Sequence, residues 1–129
     1  MIFVDTSALV DAICGSRRSA PRLRRFFERG ERLAISSLVL YEWLRGPRIA
    51  VELEIQEELF PAAEAVAFGP AEAIIAANLY RKIRSPRKRE IDLAVAAVAI
   101  ARDAALWTLN EADFHDIPGI QLAPRSVSS

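Results

Sequence analysis

Ile2-Phe3-Val4-Asp5-Thr6-Ser7 sets three consecutive apolar residues directly against an acid and two hydroxyls. A short unbroken apolar run bounded by polar residues reads as a strand buried on both faces, and Asp, Thr and Ser are helix-starting residues. The pattern recurs. Leu33-Ala34-Ile35 runs into Ser36 and Ser37, and residues 105–109 run into Asn110. Further strands are predicted at 65–68 and 120–122. Helices are predicted at 8–13, 21–29, 37–44, 49–59, 71–83 and 90–103, most of them ended or flanked by Gly or Pro. The last helix is apolar nearly all round, with five alanines between residues 94 and 101, so it is expected to be buried. Strands alternating with helices predict an α/β chain, a three-layer α/β/α sandwich with a short central parallel sheet. Residues 1–122 are read as one domain and 123–129 as a frayed tail.

Composition narrows the function classes. The chain has 129 residues, 52% of them apolar, which supplies a core and excludes wholesale disorder. The longest apolar run, residues 93–101, is nine residues, against about twenty for a membrane span. No membrane association is expected, and the N-terminus does not read as a signal peptide. One cysteine, Cys14, allows no internal disulfide and points to a reducing, cytoplasmic setting. One histidine, His115, excludes a multi-histidine zinc site. Seventeen basic and seventeen acidic residues cancel, but they are segregated. Residues 17–32 hold seven arginines, residues 81–89 hold six basic residues and no acid, and residues 52–64 hold five acids and no base. Local patches of that kind are compatible with nucleic acid, although a solvated helix face explains either basic run taken alone.

In a parallel α/β sheet the functional site lies beyond the carboxyl ends of the strands, where strand order reverses. That rule points to Asp5, Thr6 and Ser7, to Ser36 and Ser37, and to residues 110–114. Asp5 could cap a helix, Asp92 could be a first-turn acid favoured by the helix dipole, and Asp113 could hold a turn. Glu42 is spaced to share an inward face with Leu38 and Val39, where a carboxylate needs a partner such as Arg45 or a cation. Taken together, the four acids can reach one rim. Four converging carboxylates repel and raise one another's proton affinity, and a hard divalent cation relieves this. Two magnesium ions would offset four charges and serve a phosphodiester displacement.

The blocks 2–9, 36–46, 92–97 and 108–114, in this order and at these separations, resemble a PIN-domain ribonuclease. More narrowly they resemble the VapC toxins of toxin–antitoxin pairs. The resemblance implies magnesium or manganese held by a catalytic quartet, here Asp5, Glu42, Asp92 and Asp113. Thr6, Ser7, Thr108 and Asn110 match the polar residues that orient it. It implies hydrolysis of single-stranded RNA by in-line attack of water at phosphorus, leaving a 5′-phosphate and a 3′-hydroxyl. It also implies a small antitoxin partner and a homodimer. Arg87, Lys88 and Arg89, just before Asp92, are candidates for the RNA backbone. Tyr41 or Trp43 is a candidate to stack an unpaired base, with core packing the alternative for both. The rival readings are a PIN-like RNA-processing nuclease that is not a toxin, and a non-catalytic RNA- or protein-interaction module. An aspartyl-phosphate phosphatase is discounted, because position 7 is serine where a second aspartate would be needed.

Overall fold

The computed structural model describes residues 1–124. Strand β1 (Ile2–Val4) is central, flanked by β2 (Leu33–Ala34) and β3 (Ala105–Trp107), both parallel to it. The register pairs Ile2 with Leu33 and with Ala105, and Val4 with Trp107. Ile2, Phe3 and Val4 are all buried. Successive strand residues point to opposite faces, so both faces of β1 are covered, as a three-layer arrangement requires.

Six helices supply the covering: α1 (Thr6–Ile13), α2 (Ala20–Glu28), α3 (Ser37–Arg45), α4 (Ala50–Leu59), α5 (Pro70–Lys82) and α6 (Glu90–Ala101). Their bounds differ from the predicted ones by two residues or fewer at each end, the ordinary scatter of helix termini. Ser36 caps α3 as expected, its side chain accepting the Val39 N–H at 3.2 Å. Helix α6 is the buried one: Ala96, Ala97, Val98 and Ala99 are each 0% exposed. Small side chains let it lie close to α5, α3 and β3, which it contacts.

Two predicted strands shrink. Residues 65–68 make one parallel bridge, Val66 to Ser36, and residues 120–122 make one, Leu122 to Leu106. β3 ends at Trp107 rather than 109, and beyond it the Thr108 hydroxyl bonds the Asp5 carboxylate and accepts the Asn110 N–H. Ala123, read as the start of a frayed tail, is buried and donates its N–H to the Leu106 carbonyl at 2.8 Å. The remainder of the expected tail, residues 125–129, lies outside the described residues. The basic run 17–32 is not wholly a solvated face either. The Arg22 guanidinium lies 5.4 Å from the ring centroids of both Phe26 and Trp107.

The chain passes from β1 to β2 on one side and then crosses to β3 on the other. Strand order therefore reverses at β1, and the residue leaving its carboxyl end is Asp5.

Candidate active site

Asp5 occupies the N-cap position of α1, but its side chain makes no capping bond. Its N–H continues the β1–β3 ladder to the Trp107 carbonyl at 2.8 Å, which plants the side chain between the two strand ends. There Oδ2 accepts two hydroxyl protons, from Ser7 at 3.0 Å and from Thr108 at 2.7 Å. Ser7 Oγ accepts the Leu109 N–H and Thr108 Oγ1 the Asn110 N–H, each at 3.0 Å. Each hydroxyl has one proton, spent on Asp5, so the 3.2 Å approach of Ser7 to Thr108 is proximity enforced by a shared acceptor. Asn110 thus enters through its backbone, and its side chain is exposed.

Asp5 is 6% exposed. Burial raises its carboxyl above the usual range against the lowering effect of the Thr108 and Ser7 hydrogen bonds, and Glu42 adds to the rise. Glu42, from α3, is held by Thr6, whose Oγ1 donates to Oε1 at 2.6 Å. Arg45 approaches its other oxygen at 3.5 Å but is itself 57% exposed, so this pair contributes little. The two hydroxyls after Asp5 therefore serve different acids: Thr6 orients Glu42 and Ser7 orients Asp5.

Asp92 is the third residue of α6, whose N-cap is Arg89. The helix N-terminus favours an anion there. Even so, its carboxyl is raised to about 6, first by burial and then by the charges of Asp5, Asp113 and Glu42, with Arg89 opposing. Asp92 is the point at which all four predicted acids meet electrostatically. Asp113 closes a 3₁₀ turn (Glu111–Asp113) and is exposed. Its carboxylate forms no hydrogen bond among the described residues, so it does not hold the turn.

The acids do not form a closed cage. Among the described residues no three His, Cys, Asp or Glu side chains stand together at metal-ligating spacing. The arrangement offers oxygen donors only, within mutual electrostatic range and with no thiolate or imidazole beside them. That donor chemistry suits a hard divalent cation that takes one or two carboxylates and keeps several waters. It does not suit zinc.

The structure divides the other candidates. Arg87 and Lys88 are exposed. Arg89 is committed: its guanidinium forks onto Asp116 at 2.9 and 2.6 Å and reaches the Asp113 carbonyl at 2.8 Å. Trp43 is 0% exposed, its Nε1–H donating to Gln56 at 3.2 Å, so it cannot stack a base. Tyr41 is 58% exposed with Arg45 over its ring at 5.2 Å. Asp116 was not anticipated, and no local pattern marks it.

Thr108→Val should destabilise the protein by about 1–3 kcal/mol, because it removes a donor to a buried carboxylate and strands the Asn110 N–H. Urea unfolding in chelator should show the midpoint lowered with an unchanged slope. A variant as stable as the wild type would mean that the network holds nothing.

Residues 2–120 match the PIN domain family. Ribonuclease VapC19 of Mycobacterium tuberculosis is 34% identical over 123 residues, covering 94% of this chain and 98% of that protein. The crystal structure of VapBC2 from Rickettsia felis bound to a promoter DNA fragment superimposes with a TM-score of 0.73 and 25% identity, over 95% of this chain and 98% of that one. DNA-bound VapBC from Salmonella typhimurium gives a TM-score of 0.73 and 26% identity, over 95% and 96%. The reversal of strand order at Asp5, the acids around Asp92 and a family match over nearly the whole length agree: the chain belongs to the PIN domain family.

Proposed function

We propose that this protein is the toxin of a toxin–antitoxin pair, a ribonuclease that hydrolyses phosphodiester bonds in single-stranded RNA with the aid of a hard divalent cation. The observation that carries the reading is the oxygen-only donor set at the carboxyl end of β1, where Ser7 and Thr108 hold Asp5 and Thr6 holds Glu42, with the raised Asp92 carboxyl beside them. The likeness to Ribonuclease VapC19 over nearly the full length of both proteins supports it. Magnesium is the proposed ion, with manganese the alternative. Such an ion, when bound, offsets charge on phosphate oxygens and lowers the pKa of water.

The chain's own residues prepare for this. Ser7 and Thr108 hold the Asp5 carboxylate in one orientation and oppose the rise in its proton affinity that burial causes. Thr6 fixes Glu42 across the site. Asp5 and Asp92 are the proposed direct ligands, with Asp113 and Glu42 acting through water or orienting the nucleophile. No membrane-crossing helix is present among the described residues. The single cysteine suits a reducing interior, so we place the protein in the cytoplasm. The proposed partner is a small antitoxin that brings a basic side chain to the acidic rim.

The test is cleavage of a mixed RNA pool with and without magnesium, followed by mapping of product ends. Magnesium-dependent products with 5′-phosphates are expected. Cleavage that persists in chelator would overturn the metal assignment.

Arg87 and Lys88 are the exposed cations nearest Asp92 in sequence, and we assign them to backbone phosphates. Reversing both to glutamate should weaken RNA binding across all sequences. It should also reduce the salt slope by about 0.7 for each lost single-strand phosphate contact. Binding titrations at several salt concentrations measure this, and an unchanged slope places the RNA path elsewhere.

A further inference from the structure

Arg89 belongs to the basic loop yet makes the most elaborate side-chain contact at the site. It is the N-cap of α6, three residues before Asp92. Its guanidinium crosses to the segment after β3, where Nη1 and Nη2 take both oxygens of Asp116 and Nη2 also takes the Asp113 carbonyl oxygen. The Arg89 side chain is 20% exposed and Asp116 43%. A planar fork on a carboxylate fixes direction as well as distance.

Asp113 is the acid that needs such a fixture. Asp5 is bound by two hydroxyls and Glu42 by one, and Asp92 stands on a packed helix. Asp113 lies on a three-residue turn, exposed, with no hydrogen bond to its carboxylate among the described residues. Phe114 and Ile117 are 1% and 2% exposed. They anchor the segment in the core, and the Asp113 N–H bonds the Asn110 carbonyl at 2.9 Å within the turn, but neither contact ties the turn to α6.

We propose that Arg89 is a positioning residue: its fork onto Asp116 and the Asp113 carbonyl ties the turn bearing Asp113 to the helix bearing Asp92, and so sets the site's affinity for its divalent cation. This rests on the metal-dependent reading above. It also removes Arg89 from the RNA-contacting set. A guanidinium spent on three oxygens of its own chain has little left for a phosphate.

The test uses the purified full chain and two measurements: manganese binding by calorimetry without RNA, and binding of a labelled oligoribonucleotide in chelator. Arg89→Lys keeps the charge and loses the fork. Asp116→Ala removes an exposed acceptor and leaves Arg89 in place. Each should weaken manganese binding by about tenfold or more, the scale of lost outer-sphere support. The double variant should be little worse than either, since the pair acts as a unit. RNA affinity of Arg89→Lys should stay within about twofold of wild type, a change of under 0.5 kcal/mol. Phe114 and Ile117 keep the segment folded. Should Arg89→Lys nevertheless unfold, Asp116→Ala carries the test. Unchanged manganese affinity in either folded variant overturns the proposal. So does tighter RNA binding by Asp116→Ala with unaltered manganese affinity, which would make Arg89 a phosphate ligand held in reserve. If the wild type itself binds no manganese, the metal-dependent reading fails first and takes this one with it.

Discussion

Asp92→Asn should lower RNA cleavage by about a thousandfold, the scale on which an active site suffers when one charge-stabilising group is removed. The same change should make the metal-free protein more stable at pH 7.5. The sign follows from the Asp92 carboxyl, whose folded value of about 6 lies above the unfolded value of about 3.9. Between those values the folded state holds more protons than the unfolded one. Stability of the wild type therefore falls as pH rises from about 4 through about 6, and the deficit is complete at neutral pH. Asp5, also raised, acts in the same direction. For a half-buried group, with solvent screening allowed for, the deficit at Asp92 is roughly 1–2 kcal/mol. The asparagine variant lacks it, so its advantage should grow from about pH 4 and be full above about pH 6. Millimolar magnesium should stabilise the wild type, by about 2.7 kcal/mol at a hundredfold excess over its dissociation constant, and the variant much less. Melting curves across pH, in chelator and in magnesium, measure all of this. A variant less stable than wild type at pH 7.5, with an undiminished magnesium shift, would remove Asp92 from the site.

Asp5→Asn should cost a similar factor in cleavage by a different route. Both side-chain hydrogen bonds to Asp5 fall on one oxygen. An asparagine can offer its carbonyl to the same two hydroxyls, so the Ser7–Thr108 network and the fold should survive. What changes is the other half of the group, where a charged acceptor becomes a neutral donor that a cation does not bind. Removing a charge that burial already disfavours should keep the melting temperature within a few degrees of wild type. Circular dichroism melts paired with cleavage time courses check both halves. Near-normal cleavage by a variant free of wild-type protein would overturn the assignment of Asp5.

The contrast between the two acids shows which parts of the site are legible in a sequence. Asp5 and Asp92 follow local rules, one at the end of a buried strand and one in the first turn of an apolar helix, and strand order brings them together. Thr6, Ser7 and Thr108 are visible as hydroxyls beside those acids, but their division of labour depends on which strand ends meet. Arg89 is opaque for the same reason. Its acceptor, Asp116, is 27 residues away, and in sequence the arginine is one more charge in a basic run. Trp43 could be read as a base platform or as core, and only its bond to the buried Gln56 distinguishes them. The strands expected at 65–68 and 120–122 carry strand-like residues, but each finds only one bridge. Pairing is set by the partner's length, and β2 and β3 are short. Ala123 packs into the core with its N–H on the Leu106 carbonyl, which no pattern in a seven-residue tail announces.

The central position of β1 also bears on how the protein is made. Asp5 is synthesised 103 residues ahead of Thr108, one of the two hydroxyls that orient it. At ordinary rates of synthesis that interval is roughly 5–20 s. Until Thr108 has emerged from the ribosome, β1 lacks one of its two neighbours and the Asp5 carboxylate lacks half its support. Three of the four acids can be present on a nascent chain while the hydrogen-bonded frame around Asp5 is still incomplete. For a nuclease, a strand order that supplies Thr108 only after Asp5, Glu42 and Asp92 have been made acts as a delay built into the topology.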